Sequence, residues 1–144
     1  MSLDTVASAI RLRADTLWPP LEPVIPLAWP NEDFERPIGS SGRPLPFVVI
    51  ELRWSGGEFA SVGAPGNNLT RREGHIWIFA FVPKGDGETR AHQLVARAIS
   101  MFEGADFGGG ILCQGAMIGG EADDEDGDYF GQCAAIPFDY DETA

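Results

Sequence analysis

The chain contains two histidines, His75 and His92, and histidine is the side chain that most often binds zinc or acts as a general base. The two residues are not spaced at i and i+4, and no carboxylates or cysteines flank either of them in a ligand pattern. A zinc site or a metalloprotease helix requires more than this. We therefore expect ordinary structural roles for both histidines and no bound metal.

Two cysteines, Cys113 and Cys133, are too few for a disulfide framework. Both fall on predicted strands of one hairpin, so the two thiols can approach each other. A reactive thiolate needs a basic neighbourhood, and the sequence offers none at either cysteine. A pair of packed thiols is the expected arrangement, and the sequence leaves open whether the two are in contact.

The acidic run at 124–128 resembles a calcium-binding loop only superficially. When Gly127 is set at the sixth position of such a loop, Ala122 occupies the first position and Cys133 the twelfth. Both positions require oxygen ligands, so the pattern fails. No calcium site is expected.

Gly85 and Gly87 follow a predicted strand and precede a predicted helix, as the glycines of a dinucleotide-binding loop do. Arg90 stands where the third glycine of that motif is required. The sequence also lacks the Gly-x-Ser-x-Gly motif of a nucleophile elbow. No catalytic constellation and no cofactor site is predicted, and we expect a protein that is not an enzyme.

The charge of the chain is acidic and unevenly distributed. Ten basic and 22 acidic residues give the 144-residue chain a net charge of −12. Nine of the acids lie between residues 121 and 144, where there is no lysine or arginine. Binding to nucleic-acid phosphates or to an anionic membrane requires a basic patch, so neither is expected. No apolar run approaches the ~20 residues of a membrane span and no signal segment is visible, which predicts a cytoplasmic protein.

The periodicity of the apolar residues predicts two amphipathic helices. They cover 3–17, ended by Trp18-Pro19-Pro20, and 88–103. Residues 19–30 are predicted to form an extended edge segment, because proline cannot donate to a central strand.

Alternating and β-branched residues predict four to five strands. They cover 47–54, a short partner at 58–62, 75–82, 111–118 and 129–140. This order favours one α+β domain, 1–144, with a mainly antiparallel sheet and both helices packed on one face. An acidic loop at 119–128 and an acidic C-terminal tail at 139–144 complete the predicted domain.

The predicted strand 75–82 is apolar on both sides. Alternation places Ile76, Ile78, Ala80 and Val82 on one side and Trp77, Phe79 and Phe81 on the other. Two helices can cover only one face of the sheet. Either the proline-rich segment and the long loops fold over the second face, or a partner covers it as a subunit interface.

The order of several short segments resembles the tail terminator proteins (also called tail completion or minor tail proteins) of long-tailed bacteriophages, prophages and gene transfer agents. The resemblance extends over about residues 3–140, and its most specific part is a block of arginines, glycine, strand, Pro-x-Gly-x-Gly turn and helix. The segments that carry it are 26–34, 46–50, 71–78, 83–88, the end of the helix near 102, and 107–109.

The resemblance implies a structural role without a cofactor or catalytic residues. Such proteins assemble as hexameric rings on the finished end of the tail tube, stop its polymerisation and present the surface that joins the head connector. The implied partners are further copies of this chain, the tail tube protein and the head–tail connector protein. The implied location is the cytoplasm during assembly and then the tail of the virion or phage-like particle.

Two sets of residues are candidates for this role. An interface between subunits or with the tube is expected at Trp77, Phe79, Phe81, Arg71 and Arg72. An acidic loop that faces the channel and repels DNA phosphates is expected at Asp123, Asp124, Asp126 and Asp128.

Three alternatives remain open from the sequence. The nearest is a head–tail connector or stopper protein. An acidic inhibitor that mimics DNA would need carboxylates spaced along a surface, whereas here they cluster in one loop and tail. A small ligand-binding domain or enzyme would need a site that the sequence does not reveal.

Overall fold

A computed structural model describes residues 1–61, 63, 68–122 and 127–143. Within these residues the chain forms an α+β fold with two helices and seven strands. The helices are α1 (Leu3–Leu21) and α2 (Thr89–Ser100). The strands are β1 (Leu27–Ala28), β2 (Phe47–Phe59), β3 (Leu69–Pro83), β4 (Asp106–Phe107), β5 (Ile111–Cys113), β6 (Met117–Ala122) and β7 (Tyr129–Thr143). Neither helix of the described residues has the length and apolar character needed to cross a bilayer.

The sheet is mainly antiparallel and is built around β3 and β7, its two longest strands. β3 pairs with β2 on one side and with β7 on the other. The far side of β7 pairs with β6 near its beginning and with β5 near its end. Two short strands extend the sheet, because β1 adds in parallel to the start of β2 and β4 adds to β5. The described sheet therefore has more strands than the four to five predicted.

Both helices pack on the same face of the sheet. α1 contributes Val6, Ile10, Ala14 and Trp18 to the core, and α2 contributes Ala91, Leu94, Val95 and Ala98. From the central strand, Ile76, Ile78, Ala80 and Val82 join the same cluster, and all four are fully buried. The alternation predicted for this strand is confirmed, and we call this side of the sheet the helix face.

The first helix continues through two prolines that were expected to end it. α1 reaches Leu21, and its last turn closes when the backbone N–H of Glu22 donates to the carbonyl of Trp18 at 2.8 Å. Pro19 and Pro20 leave the carbonyls of Asp15 and Thr16 without helical donors. Both of those residues are exposed, so water can satisfy the carbonyls, and a proline's fixed φ fits a helix.

The second strand also continues where a break was expected. The predicted end at Ser55-Gly56-Gly57 is a β-bulge, with a register shift between Trp54 and Gly57. Glycine at a bulge lets the strand resume pairing after one extra residue. The short partner predicted at 58–62 is wrong, because Glu58 and Phe59 continue β2 and pair with β3; residue 62 lies outside the described residues.

Three predicted elements in the second half have different bounds. α2 covers Thr89–Ser100 rather than 88–103, and turns follow it up to Gly104, which has a φ of 70°. The predicted strand 111–118 is two strands, β5 and β6, and β6 extends into the predicted loop 119–128 as far as Ala122. The division into two strands follows from pairing, since β5 and β6 contact different parts of β7.

The acidic C-terminal tail predicted at 139–144 is a strand as far as Thr143. β7 runs beside the beginning of β3, so Asp141 lies opposite Arg71. The guanidinium of Arg71 donates to the Asp141 carboxylate at 3.0 Å, and Arg72 lies 3.7 Å from Glu142. Opposite charges across paired strands stabilise this extension, which the local acidity of the sequence does not indicate. Residue 144 lies outside the described residues.

Candidate interaction surface

The face of the sheet opposite the helices carries a row of half-buried apolar side chains. Strand alternation and pairing bring Val49, Trp77, Phe79, Phe81 and Cys133 to this side, and each is partly exposed to solvent. We call these five residues the aromatic face. A shallow depression of about 450 Å³ lies over its Val49, Phe79 and Phe81 side. The expected second apolar face of the sheet is therefore present.

One end of this side of the sheet is covered by the chain itself. Phe47 and Tyr129 are 3% and 5% exposed. The ring of Phe34 lies 5.3 Å from that of Phe47, and the Tyr129 hydroxyl donates to the Leu45 carbonyl at 3.1 Å. The guanidinium of Arg36 lies 5.3 Å above the Tyr129 ring. Residues 34–45 thus fold over this end. Here the first of the two expected arrangements is found, in which a loop of the same chain covers the second face of the sheet.

The other end is bordered by charge. Trp77 and Phe79 stack with ring centroids 6.0 Å apart, and the guanidinium of Arg53 lies 4.8 Å from the Trp77 centroid and 5.8 Å from that of Phe79. Arg53 also donates to the Glu51 carboxylate at 3.0 Å. A cation above aromatic rings adds attraction beyond packing. Apolar surface rimmed by partly exposed charges is the usual composition of a protein interface.

Sequence reasoning did not single out Arg53 and Glu51 at the rim of this face. Strand alternation could have indicated them, because residues 49, 51 and 53 of one strand project on the same side of the sheet. The pairing register that sets Glu51 opposite Trp77 and Arg53 opposite His75 is a property of the folded sheet.

The two arginines predicted at the interface lie away from the aromatic face. Arg71 projects on the same side of the sheet as Trp77, but it lies towards the beginning of β3 and is bound to Asp141. The hydrogen bond to that carboxylate raises the pKa of Arg71. Arg72 is adjacent in the strand, so it projects on the opposite side, near Glu142. The structure therefore does not bring the predicted basic pair together with the aromatic residues.

Most of the predicted acidic channel loop falls where the structure is not described. Asp123, Asp124 and Asp126 lie outside the described residues. Asp128 is described, and its backbone carbonyl accepts a hydrogen bond from the Lys84 N–H at 3.0 Å. This contact places Asp128 at the covered end of the sheet, beside the turn that follows β3.

The two cysteines are not in contact. Cys113 lies opposite Phe138 of β7, whereas Cys133 is itself in β7, five residues earlier. That separation along a strand corresponds to about 17 Å, so the fold answers the question that the sequence left open: the two thiols do not approach each other, and both are free. Burial raises the pKa of Cys113 to about 11.

The histidines also lie apart, with His75 half-buried in β3 and His92 exposed on α2. Within the described ranges, no three His, Cys, Asp or Glu side chains cluster as metal ligands would.

A second surface feature lies between α1 and the edge of β2. It is a groove of about 530 Å³ whose apolar lining consists of Ala7, Leu12, Trp29, Pro30 and Leu52, and we call it the edge groove. Arg11 forms one wall, with its guanidinium 4.5 Å above the Trp29 ring and bound to Asp15 at 3.2 Å. Sequence reasoning missed this groove, since it depends on how the proline-rich segment passes α1.

Comparisons with known proteins identify the fold and nothing beyond it. No protein-family model matches the chain, and no curated protein matches its sequence. Fifteen chains of solved structures match. One of them superposes with a TM-score of 0.62 at 20% identity, covering 100% of this chain and 96% of the other. At this identity the likeness establishes a shared α+β fold.

Proposed function

We propose that this protein is a structural component of a phage-type tail that resembles the tail terminators. Copies of the chain form a ring, a hexamer by that resemblance, on the finished end of the tail tube. The ring ends polymerisation of the tube and offers the surface that the head connector binds. The protein acts in the cytoplasm during assembly and then in the tail of the particle.

The observation that carries the proposal is the aromatic face. Trp77, Phe79 and Phe81 lie side by side on β3, half-buried, on the side of the sheet opposite both helices. Among the described residues, Phe34 and Leu45 contact the end of this side near Phe47 and Tyr129. A contiguous apolar surface with a charged rim is typical of a surface that a partner buries.

A ring requires a particular kind of contact. In a cyclic assembly, one patch of each subunit meets a different patch of its neighbour. The aromatic face supplies one patch for contact with a neighbouring subunit or with the tube. Both helices lie on the opposite side of the sheet, and the five residues of the aromatic face are partly exposed within the described structure.

The acidic residues have a separate proposed role. A channel lined by Asp123, Asp124, Asp126 and Asp128 repels DNA phosphates and keeps the passage free of adhesion. Replacing all four with asparagine removes four negative charges, and we expect DNA to leave the particle more slowly or to be retained. Ejection kinetics equal to those of the wild type would contradict this role.

Mixing the purified protein with tail tubes tests the main proposal. Electron microscopy is expected to reveal a ring at one end of each tube, and tubes grown in its presence are expected to stop at a fixed length. Mass measurement before and after mixing gives the number of copies. Protein that ignores tube ends and instead binds isolated head connectors would identify a stopper. Protein that ignores both would contradict a tail function.

A further inference from the structure

We propose that neighbouring copies join edge to edge, with β6 of one copy pairing with the open edge of β2 in the next copy. Ile118 of the incoming strand fills the edge groove of the receiving copy. This inference rests on the proposed ring, because it names the contact that builds it. It does not depend on which partner the ring caps.

Within the described residues, the sheet has an open edge at each end. β1 pairs only with Val48 and Val49 of β2, so from Ile50 to Phe59 that strand has a described strand partner only in β3. β6 pairs only with β7 within the described chain, and residues Met117–Glu121 are all exposed. Unpaired strand edges are ready-made sites for pairing with another strand.

The direction of the strands suits such pairing. β2 and β7 are both antiparallel to β3, and β6 is antiparallel to β7. β6 therefore runs antiparallel to β2. A rotation about an axis along the strands preserves these directions, so β6 of one copy meets β2 of the next as an antiparallel neighbour. Within one copy the two edges are separated by β3 and β7, so the pairing can form only between copies.

The side chains of β6 match the surfaces beside β2. Ile118 lies opposite Ala134, which places it on the helix face, and it is 70% exposed. On that same face the edge groove borders β2, and its wall residue Leu12 is 67% exposed. Met117 lies opposite Ala135 on the other side of the sheet. A continued sheet thus brings Ile118 to the groove and Met117 to the aromatic face of the neighbour.

Charge disfavours the pairing of two identical β6 edges. β6 carries the exposed Glu121, and the sequence from 119 to 128 holds six acids and no lysine or arginine. The edge of β2 offers charges of both signs, since Arg53 is paired with Glu51, and Arg11 of the edge groove is paired with Asp15 and Glu32. Like charges at close range oppose association, so an edge of mixed charge is the more favourable partner for β6.

Two variants with complementary defects test the inference. Ile118→Glu places a charge on the β6 edge, and Leu12→Glu places one in the groove. Both residues are exposed, so both variants are expected to fold with the melting temperature of the wild type. Ile38→Glu is the matched control, because Ile38 is 68% exposed and lies on neither edge.

Ultracentrifugation over a concentration series, and electron microscopy on tube ends, give the readout. The wild type and Ile38→Glu are expected to assemble. Each edge variant alone is expected to remain monomeric, because one half of every contact is blocked. Their equimolar mixture is expected to form dimers and nothing larger, since one intact β6 edge meets one intact groove. Hydrogen exchange in that mixture should slow at 117–122 and 50–59.

Assembly of Ile118→Glu into rings like those of the wild type, in solution or on tubes, would overturn the edge pairing and leave the terminator role standing. An edge variant that dimerises alone would also overturn it, as would a wild type that neither self-associates nor caps tubes. Conversely, a wild type that assembles through these edges but ignores tube ends would support the pairing and contradict the terminator role.

Discussion

Glu22 and Arg90 form a two-point contact between the end of α1 and the first turn of α2. Arg90 Nη1 donates to Glu22 Oε1 at 2.8 Å, and Nη2 donates to Oε2 at 2.9 Å. Arg97, two turns further along α2, pairs with the same carboxylate. The Glu22 side chain is 7% exposed, so its burial is tolerated because two cations and their hydrogen bonds compensate for lost water.

Replacing Glu22 with glutamine is expected to destabilise the fold. The variant keeps the shape of the side chain but leaves Arg90 and Arg97 without their anion. Because both arginines are partly exposed and can recover water, we expect a loss of about 1–3 kcal/mol in the free energy of unfolding. Urea denaturation measures it. Asp15→Asn, which removes one of the two exposed carboxylates paired with Arg11 (the other is Glu32), is the control and should change the free energy by less than about 0.5 kcal/mol.

Replacing Gly74 with alanine is expected to disturb the packing of the sheet. A Cβ at Gly74 would lie 2.7 Å from Phe138 Cζ and 3.0 Å from the Arg53 carbonyl oxygen. Phe138 passes over this glycine to meet Trp54 edge-on at 5.7 Å. We expect a cost of about 1–3 kcal/mol, measured as a lower urea midpoint. Gly115→Ala has no atom within 4 Å of its new Cβ, and an equal loss there would contradict the steric explanation.

The two cysteines are expected to differ in reactivity. Burial raises the pKa of Cys113 from an ordinary 9.0 to about 11, so at pH 8 its thiolate fraction falls about 100-fold. Cys133 is half-buried on the aromatic face. Iodoacetamide at pH 8 should therefore modify one thiol per native chain, and mass spectrometry should locate it at Cys133. Rapid modification of Cys113 in the native protein would contradict its burial.

The raised pKa of Cys113 also predicts that the free energy of unfolding falls at alkaline pH. The pKa of the Cys113 thiol is higher in the folded chain than in the unfolded chain. Its contribution to stability is therefore complete below pH 9 and is lost as the pH rises towards 11. Burial raises the pKa of Tyr140 as well, which adds a loss of the same sign. In Cys113→Ala the decline of the unfolding free energy between pH 9 and 11 should be shallower than in the wild type.

A charge on the aromatic face is expected to prevent capping of tail tubes. Trp77→Glu places a carboxylate in the apolar surface that the proposed partner buries, and we expect affinity for tube ends to fall by about 10-fold or more. Val24→Glu, at a residue that is 83% exposed elsewhere, should bind as the wild type does. Because Trp77 is half-buried, melting curves are recorded to separate a loss of binding from a loss of folding. Val49→Glu is a second variant of the same face and should also weaken binding to tube ends.

The regular part of the fold was predictable because its signal is local. Alternation in β3 separates fully buried Ile76 and Ile78 from half-buried Trp77 and Phe79, as expected from the sequence. The buried side chains of α2 likewise follow the expected helical spacing. In both elements the burial of each side chain follows from the periodicity of the element and from the one face that packs on the core.

The features that escaped prediction depend on residues far apart in the sequence. The acids Asp139, Asp141 and Glu142 are typical of a solvated tail until β3 supplies Arg71 across the strand pair. Glu22 acquires its ion-pair partner only when the fold brings Arg90 of α2 next to it. The edge groove requires Trp29 to pass α1. In each case a tertiary contact overrides the local character of the sequence.

The position of β7 has a consequence for how the chain reaches its native state on the ribosome. β5 and β6 are synthesised first, yet β7 is the long strand that both of them need. The pairing of β3 with β7 must also wait, because it joins residues between 46 (Pro83 and Tyr129) and 74 (Leu69 and Thr143) positions apart. Contacts of such separation form slowly. Until residues 129–143 emerge, one edge of β3 is unpaired, so we expect the nascent chain to be prone to aggregation and to chaperone binding at this stage.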